Sequence, residues 1–293
     1  MLDFRYFISS LAAVFLALGI GIVIGGALIG NDDMVKSQEN LIFSLEQDFQ
    51  QLRSEKKFLQ EDLKTRNVEL EVLRQFNREV LPLLISAQLI DRKIALIKTN
   101  ETINPSLVSD LMKTLRQAGA QVPITINISE WPLLFKENKL FATQLGFKPE
   151  ETWVEELFSE FMEELISGEN GKICSLLQVH NLMQVNRSMK EPIDTLVLLG
   201  GSYEEKSSRV DEIDLLLAKS GRKNGLTVIG AEPLSVSFSY IPKLKNSGLT
   251  TVDNIDTLPG QVALIFSLAS GQKGNYGVKE TARALLPEPL AGL

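Results

Sequence analysis

The sequence predicts an α/β protein in three parts: an N-terminal transmembrane helix, a coiled-coil stalk, and a Rossmann-like, mostly parallel α/β domain. Three observations support this architecture. An uncharged apolar run opens the 293-residue chain, and a heptad repeat without proline or glycine follows it. Short apolar runs then alternate with helical segments, as in proteins built around a parallel sheet. The predicted boundaries are residues 1–31, 32–81 and 88–293.

The first part is predicted to cross a membrane. Residues 6–31 carry no charge, and as a helix they would measure about 39 Å, more than the roughly 30 Å hydrocarbon core of a bilayer. A cleaved signal peptide is the alternative, with the small residues Gly25 and Ala27 near a cleavage site. The apolar region of a signal peptide, however, normally spans only about 7–15 residues.

The charges on either side of this helix predict its orientation. Arg5 and the amino group precede the apolar run, whereas Asp32 and Asp33 follow it. Because positive charge stays on the cytoplasmic side, we expect a cell-membrane protein with a cytoplasmic N-terminus and an extracytoplasmic C-terminal domain.

A repeat of small residues along the apolar run predicts a contact with a second helix. Small side chains at every fourth position share one helix face, where another backbone can approach closely. The alternative is that glycine and alanine are simply common in membrane helices. The predicted contact residues are Ser9, Ala13, Ala17, Gly21 and Gly25.

The heptad repeat predicts a coiled coil between residues 32 and 81. Ten of the thirteen a and d positions from residue 42 to residue 84 are apolar, and fifty helical residues would form a rod of about 75 Å. Two chains anchored alike in one membrane would pair as a parallel homodimer. The alternative is an amphipathic helix that packs on its own domain. The predicted seam comprises Ile42, Leu45, Phe49, Leu52, Leu59, Leu63, Leu70, Leu73, Asn77 and Val80.

Pro82 is predicted to end this helix, because an interior proline removes a hydrogen bond and clashes with the preceding turn. Beyond residue 88, strands are predicted at 93–99, 122–129, 194–201, 226–232 and 250–255. Helices are predicted at 105–119, 132–145, 150–167, 172–185, 208–220, 260–270 and 279–286.

Composition argues against several functional classes. A net charge of −7 disfavours a nucleic-acid partner. The single cysteine, Cys174, and the single histidine, His180, leave no disulfide framework and no Cys/His metal cage. These two residues lie six positions apart, which places them on different faces of a helix.

The predicted strand ends offer weak candidates for chemistry. Residues 200–202 (GGS) could hold an anion, but the glycine spacing of a dinucleotide site is missing, so a tight turn is expected instead. Glu101, Glu130 and Glu232 could converge as an acid pair or a cation site. No histidine or lysine stands beside them in the pattern, so we expect no enzyme and no cofactor-binding or metal-binding residues.

Several motifs resemble the copper transporter family typified by mycobacterial copper transport protein B. They extend from the N-terminus to residue 287 and are MLDFRY (1–6), LAAVFLALGIGIVIG (11–25), VDNID (252–256), PGQVAL (259–264), YGVK (276–279) and LLP (285–287). The resemblance implies a single-pass bacterial envelope protein with a role in copper homeostasis or efflux, and copper is implied by this resemblance alone. Other members look like partners of septal and cell-wall machinery, which implies a scaffold that binds envelope or division proteins. Phe7 departs from the family pattern, in which many relatives have histidine.

Overall fold

The computed structural model describes residues 4–29, 32–129, 139–150, 152–168, 171–187 and 190–288. The chain divides into two compact units, Met1–Leu73 and Arg74–Leu293.

The first unit contains helix α1 (Phe4–Ile29) and most of helix α2 (Asp32–Ile85). The stretch Phe4–Ala27 is long and apolar enough to cross a membrane, and its side chains are not buried within the chain. A Cβ built on Gly21 or Gly25 would meet no other atom within 4 Å. The predicted N-terminal apolar helix is therefore confirmed, and its small-residue face is open.

Helix α2 continues past Pro82, so the predicted helix end at that residue is wrong. Proline removes one N–H donor, but the next turn survives because Ser86 N donates to Pro82 O at 3.1 Å. Ile85 and Leu89 are buried in the core of the second unit, which holds this last turn in place. The helix ends before Ala87, whose φ of 58° is left-handed.

The second unit is built on a seven-stranded sheet with the order β3-β2-β1-β4-β5-β6-β7. Every neighbouring pair is parallel except β2–β3. The predicted mostly parallel α/β domain is thus confirmed, and the strand order reverses between β1 and β4. The strands are β1 (Lys93–Lys98), β2 (Gln121–Ile128), β3 (Met183–Arg187), β4 (Thr195–Leu199), β5 (Thr227–Ala231), β6 (Thr250–Val252) and β7 (Asn275–Tyr276).

Helices cover both faces of this sheet, which explains why its central strands are apolar on both sides. The end of α2, α3 and α9 bury one face, and α4 to α8 bury the other. Their bounds are α3 (Pro105–Gln117), α4 (Lys139–Leu145), α5 (Trp153–Ser167), α6 (Lys172–Val179), α7 (Leu215–Lys223), α8 (Ile241–Asn246) and α9 (Leu258–Ser270). A π-helical turn, Val210–Asp214, precedes α7.

Two predicted helices differ from the structure. The helix expected at 172–185 ends at Val179, and its last three residues belong to the antiparallel edge strand β3, which begins at Met183. The helix expected at 279–286 is absent, since these described residues form turns instead. Arg283 N donates to Asn275 O at 2.7 Å and Gly277 N donates to Ala284 O at 3.0 Å, so this segment pairs with the residues at β7 and not with its own preceding turn. The first part of the helix expected at 132–145 lies outside the described residues.

Candidate functional site

The carboxyl ends of β1, β4 and β5 bring together a set of buried polar side chains. Ligands of open α/β sheets bind beyond the carboxyl ends of the strands, where the strand order reverses. Here that position falls between β1 and β4. We call the buried side chains of Thr99, Asn100, Asp214, Glu232 and Tyr240 the strand-end network.

Asp214 lies at the centre of this network and is fully buried. Thr99 Oγ1 donates to Asp214 Oδ1 at 2.7 Å. The second carboxyl oxygen, Oδ2, has no hydrogen-bond partner among the described residues. Burial raises the pKa of Asp214 to about 7, the charge of Glu232 adds to the rise, and the bond from Thr99 opposes it. The carboxyl group therefore changes charge near neutral pH.

Tyr240 joins three loops through its hydroxyl oxygen. This oxygen accepts the amide of Asn100 at 2.9 Å and the backbone N–H of Arg209 at 2.8 Å. Burial raises the pKa of Tyr240, and the charge of Asp214 adds to the rise. The tyrosine is therefore neutral at physiological pH, and it links the loops that follow β1, β4 and β5.

Glu232 is the member of the network that forms an ion pair, and its partner is Lys279. Its Oε1 accepts from Lys279 Nζ at 2.6 Å and from Ser239 Oγ at 2.6 Å. Its Oε2 accepts the backbone N–H of Tyr240 at 2.8 Å. The Glu232 side chain is 0% exposed and that of Lys279 is 21% exposed, so this pair is largely screened from solvent.

Side chains of the protein itself fill the position between β1 and β4. A Cβ on Gly200 would lie 2.7 Å from a ring carbon of Tyr240 and 2.8 Å from Asp214 Oδ1. A Cβ on Gly201, whose φ is +93°, would lie 2.9 Å from Val236. Gly200 and Gly201 therefore pack closely on the network, and Ser202 forms an isolated antiparallel bridge with Phe238 where a tight turn was expected at residues 200–202.

The acidic residues predicted at the strand ends have different environments. Glu101 is exposed, Glu232 is buried in its ion pair, and Glu130 lies outside the described residues. Sequence reasoning missed Asp214, Tyr240 and Lys279. Asp214 had a recognisable signal, because it shares a helix face with the apolar residues Val210 and Leu217.

Helix α2 presents a second candidate surface, along the predicted seam. Large apolar side chains at the a and d positions are about half exposed or more in this single chain: Ile42, Leu45, Phe49, Leu52, Leu59, Leu63, Leu70 and Leu73. Asn77 and Val80 are half-buried, at the end of the helix that belongs to the second unit. The coiled coil and its seam remain a prediction.

A known family matches the sequence over nearly its whole length. Residues 1–144 and 150–287 match the family described as copper transport outer membrane protein, MctB. The chain belongs to the MctB family. This confirms the resemblance seen in the motifs from residue 1 to residue 287, and the N-terminal apolar helix agrees with a membrane protein of this copper-transport family. No curated protein matches the sequence.

Among the described residues, neither Cys174 nor His180 belongs to a group of His, Cys, Asp or Glu side chains that could hold a metal ion. Soft copper sites use cysteine, methionine or histidine ligands. Cys174 is buried in the core, and the His180 ring packs edge-on against Phe141, with 5.2 Å between centroids. Within the described part of the chain, no group of three or more His, Cys, Asp or Glu residues could hold a metal ion.

Proposed function

We propose that this member of the MctB family is a single-pass membrane protein that contributes to copper homeostasis or efflux across the cell envelope. The family match over nearly the whole chain carries the proposal. Helix α1 would be the membrane anchor, with the N-terminus in the cytoplasm and the α/β domain outside.

In this proposal the protein assists copper movement through partners. One apolar helix cannot conduct ions alone, and a pore would need further helices. Cys174 is buried, and no group of three or more His, Cys, Asp or Glu side chains in the described part of the chain could hold a metal ion together with His180, which supports a role that uses neither residue as a copper ligand. Copper would therefore be cargo of an assembly to which this chain belongs.

A copper-tolerance assay tests the proposal. Deletion of the gene is expected to lower the copper concentration that arrests growth, and the wild-type chain should restore tolerance. A Cys174→Ser/His180→Ala variant should restore tolerance equally, because neither side chain acts as a ligand. Unchanged copper sensitivity in the deletion strain would contradict the copper role. Failure of the double variant alone would contradict the proposed route through partners.

The exposed apolar stripe of α2 favours a second candidate function. A row of half-exposed leucine, isoleucine and phenylalanine side chains at heptad spacing is the surface that a second copy would cover in a parallel coiled coil. The protein would then be a non-enzymatic scaffold that binds envelope or division proteins. The filled position between β1 and β4 supports a role without catalysis. The open face of α1 at Gly21 and Gly25 would extend the same dimer into the membrane.

Crosslinking tests the predicted dimer. A Leu45→Cys chain that also carries Cys174→Ser should form disulfide-linked dimers in membranes, because d positions face each other in a parallel pair. Adding Leu59→Lys and Leu63→Lys should strongly reduce this crosslinking. The matched control is Val68→Lys with Val72→Lys, which changes exposed apolar residues away from the seam. Equal crosslinking in the two variants would reject the seam.

A further inference from the structure

The last turns of helix α2, residues 74–85, belong to the second unit and have two apolar faces. One face packs on the core of the α/β domain, in which Ile85 is buried and Leu81 is partly buried. The other face is open in the single chain: Phe76 is 58% exposed, Leu83 80% and Leu84 45%. Because an apolar helix face is normally buried against another element, the open face indicates a second contact.

The continuation of α2 past Pro82 joins the open residues into one row. This row, which we call the terminal stripe, has the spacing i, i+4, i+7, i+8 and comprises Phe76, Val80, Leu83 and Leu84. At about 100° per residue, its centre lies about 135° around the helix from the centre of Leu81 and Ile85. The domain of the same chain therefore leaves most of the terminal stripe uncovered.

The residues that flank the predicted seam change character where the terminal stripe begins. Positions e and g of a heptad flank the seam of a coiled coil and often carry charge. Phe76 and Leu83 occupy g positions, and the four heptads before them have acids at g: Asp48, Glu55, Asp62 and Glu69. The apolar surface of α2 therefore becomes wider at the level of the α/β domain.

The chemistry of the flanking positions favours a second copy of the chain as the occupant of the terminal stripe. In a parallel pair, a g residue lies beside the e residue five positions later on the other chain. Asp48 would meet Arg53 in this way, and no such pair between residues 48 and 81 joins like charges. Phe76 would meet Leu81, so an apolar residue again faces one of its own kind. The sequence of α2 thus complements itself up to the end of the helix.

We propose that the terminal stripe is an interface between two copies of this chain at the level of their α/β domains. The proposal rests on the dimer of the second candidate function and goes beyond it, because the predicted seam ends at Val80. Leu84 is the next a position, and Phe76 and Leu83 would cover the contact from the side. Since each copy contributes the same stripe, the contact closes at two copies. The two α/β domains would then lie on opposite sides of the helix pair.

Disulfide crosslinking of the full chain in membranes tests the proposal. A Leu84→Cys chain that also carries Cys174→Ser should form crosslinked dimers, because a positions meet across a parallel pair. Gln75→Cys in the same background is the matched control. It is exposed at an f position of the same turns, which points away from a partner helix, so it should crosslink far less. The Leu45→Cys chain reports the predicted dimer in the same membranes.

Charges placed on the terminal stripe should break this contact alone. Phe76→Glu with Leu83→Glu should lower crosslinking through Leu84→Cys about tenfold, equal to about 1.4 kcal/mol. The same two changes should leave crosslinking through Leu45→Cys in place. Both side chains lie outside the core of the domain, so these variants should fold.

The outcomes separate this interface from the predicted dimer. Gln75→Glu with Ser86→Glu adds two charges at exposed positions off the stripe and should leave crosslinking through Leu84→Cys unchanged. An equal loss in this control would overturn the proposal. Crosslinking through Leu45→Cys but not through Leu84→Cys would also overturn it, and would show that the stripe takes a different partner although the dimer forms. Crosslinking through neither cysteine would reject the dimer itself.

Discussion

Replacement of Lys279 by methionine is expected to lower the free energy of unfolding of the α/β domain by about 3–5 kcal/mol. The ammonium group of Lys279 lies 2.6 Å from Oε1 of Glu232, whose side chain is 0% exposed. Without this cation, the donors that the described residues still offer to the buried carboxylate are neutral, namely the Ser239 hydroxyl and the Tyr240 N–H. Such a charge is far more costly to bury than the original pair.

Chemical denaturation of the full chain in detergent micelles measures this loss, with fluorescence of the buried Trp153 as a reporter of the domain core. Lys243→Met is the matched control, since Lys243 pairs with Asp211 on the surface and both side chains are more than half exposed. That control should cost less than about 1 kcal/mol. A Glu232→Gln/Lys279→Met chain should recover much of the stability that Lys279→Met loses. Equal costs for the two lysine variants would contradict the assignment.

The sequence predicted correctly those parts of the fold that a pattern of consecutive residues indicates. Strands β1, β2, β4 and β5 are continuous apolar runs, and strands buried on both faces are one of the few structures that such runs can form. The apolar helix α1 is recognisable for the same reason. The described bounds of these elements differ from the predicted ones by only a few residues.

The strand-end network was not predictable in this way, because its contacts join distant positions. Thr99 and Asp214 are separated by 115 positions, and Asn100 and Tyr240 by 140 positions. Local periodicity contains no information on such pairs. The same limit explains the wrong helix at 279–286, because Arg283 N donates to Asn275 O, eight positions earlier, and not to the carbonyl four positions earlier as a helix requires.

The wrong prediction that helix α2 ends at Pro82 has a related cause. The rule that proline ends a helix describes a chain without tertiary contacts. In this protein Ile85 and Leu89 are buried, and burial of one such side chain contributes about 1.5–3 kcal/mol. Two buried side chains offset the roughly 3 kcal/mol that an interior proline costs.

Replacement of Asp214 by asparagine is expected to make the domain more stable than the wild type at pH 8. The folded-state pKa of Asp214 is raised by burial from 3.8 to about 7. Between these two values the folded chain holds a proton that the unfolded chain releases, so this group stabilises the fold fully below pH 3.8 and loses its contribution as the pH rises through 7. From pH 5 to pH 8 the loss amounts to about 2–3 kcal/mol. Asparagine does not ionise, so the Asp214→Asn chain should lose none of this stabilisation between pH 5 and pH 8.

The decisive quantity is the difference in unfolding free energy between Asp214→Asn and the wild type, measured by denaturation at both pH values. Other titrating groups contribute alike to the two chains, so their effects cancel in the difference. Asp211→Asn, which removes an exposed carboxylate three positions earlier, should change stability by less than about 0.5 kcal/mol at either pH. A difference that stays constant from pH 5 to pH 8 would show that Asp214 does not titrate in this range. A difference that grows with pH would show that Asp214, at the centre of the strand-end network, is held neutral by burial and that its deprotonation destabilises the fold.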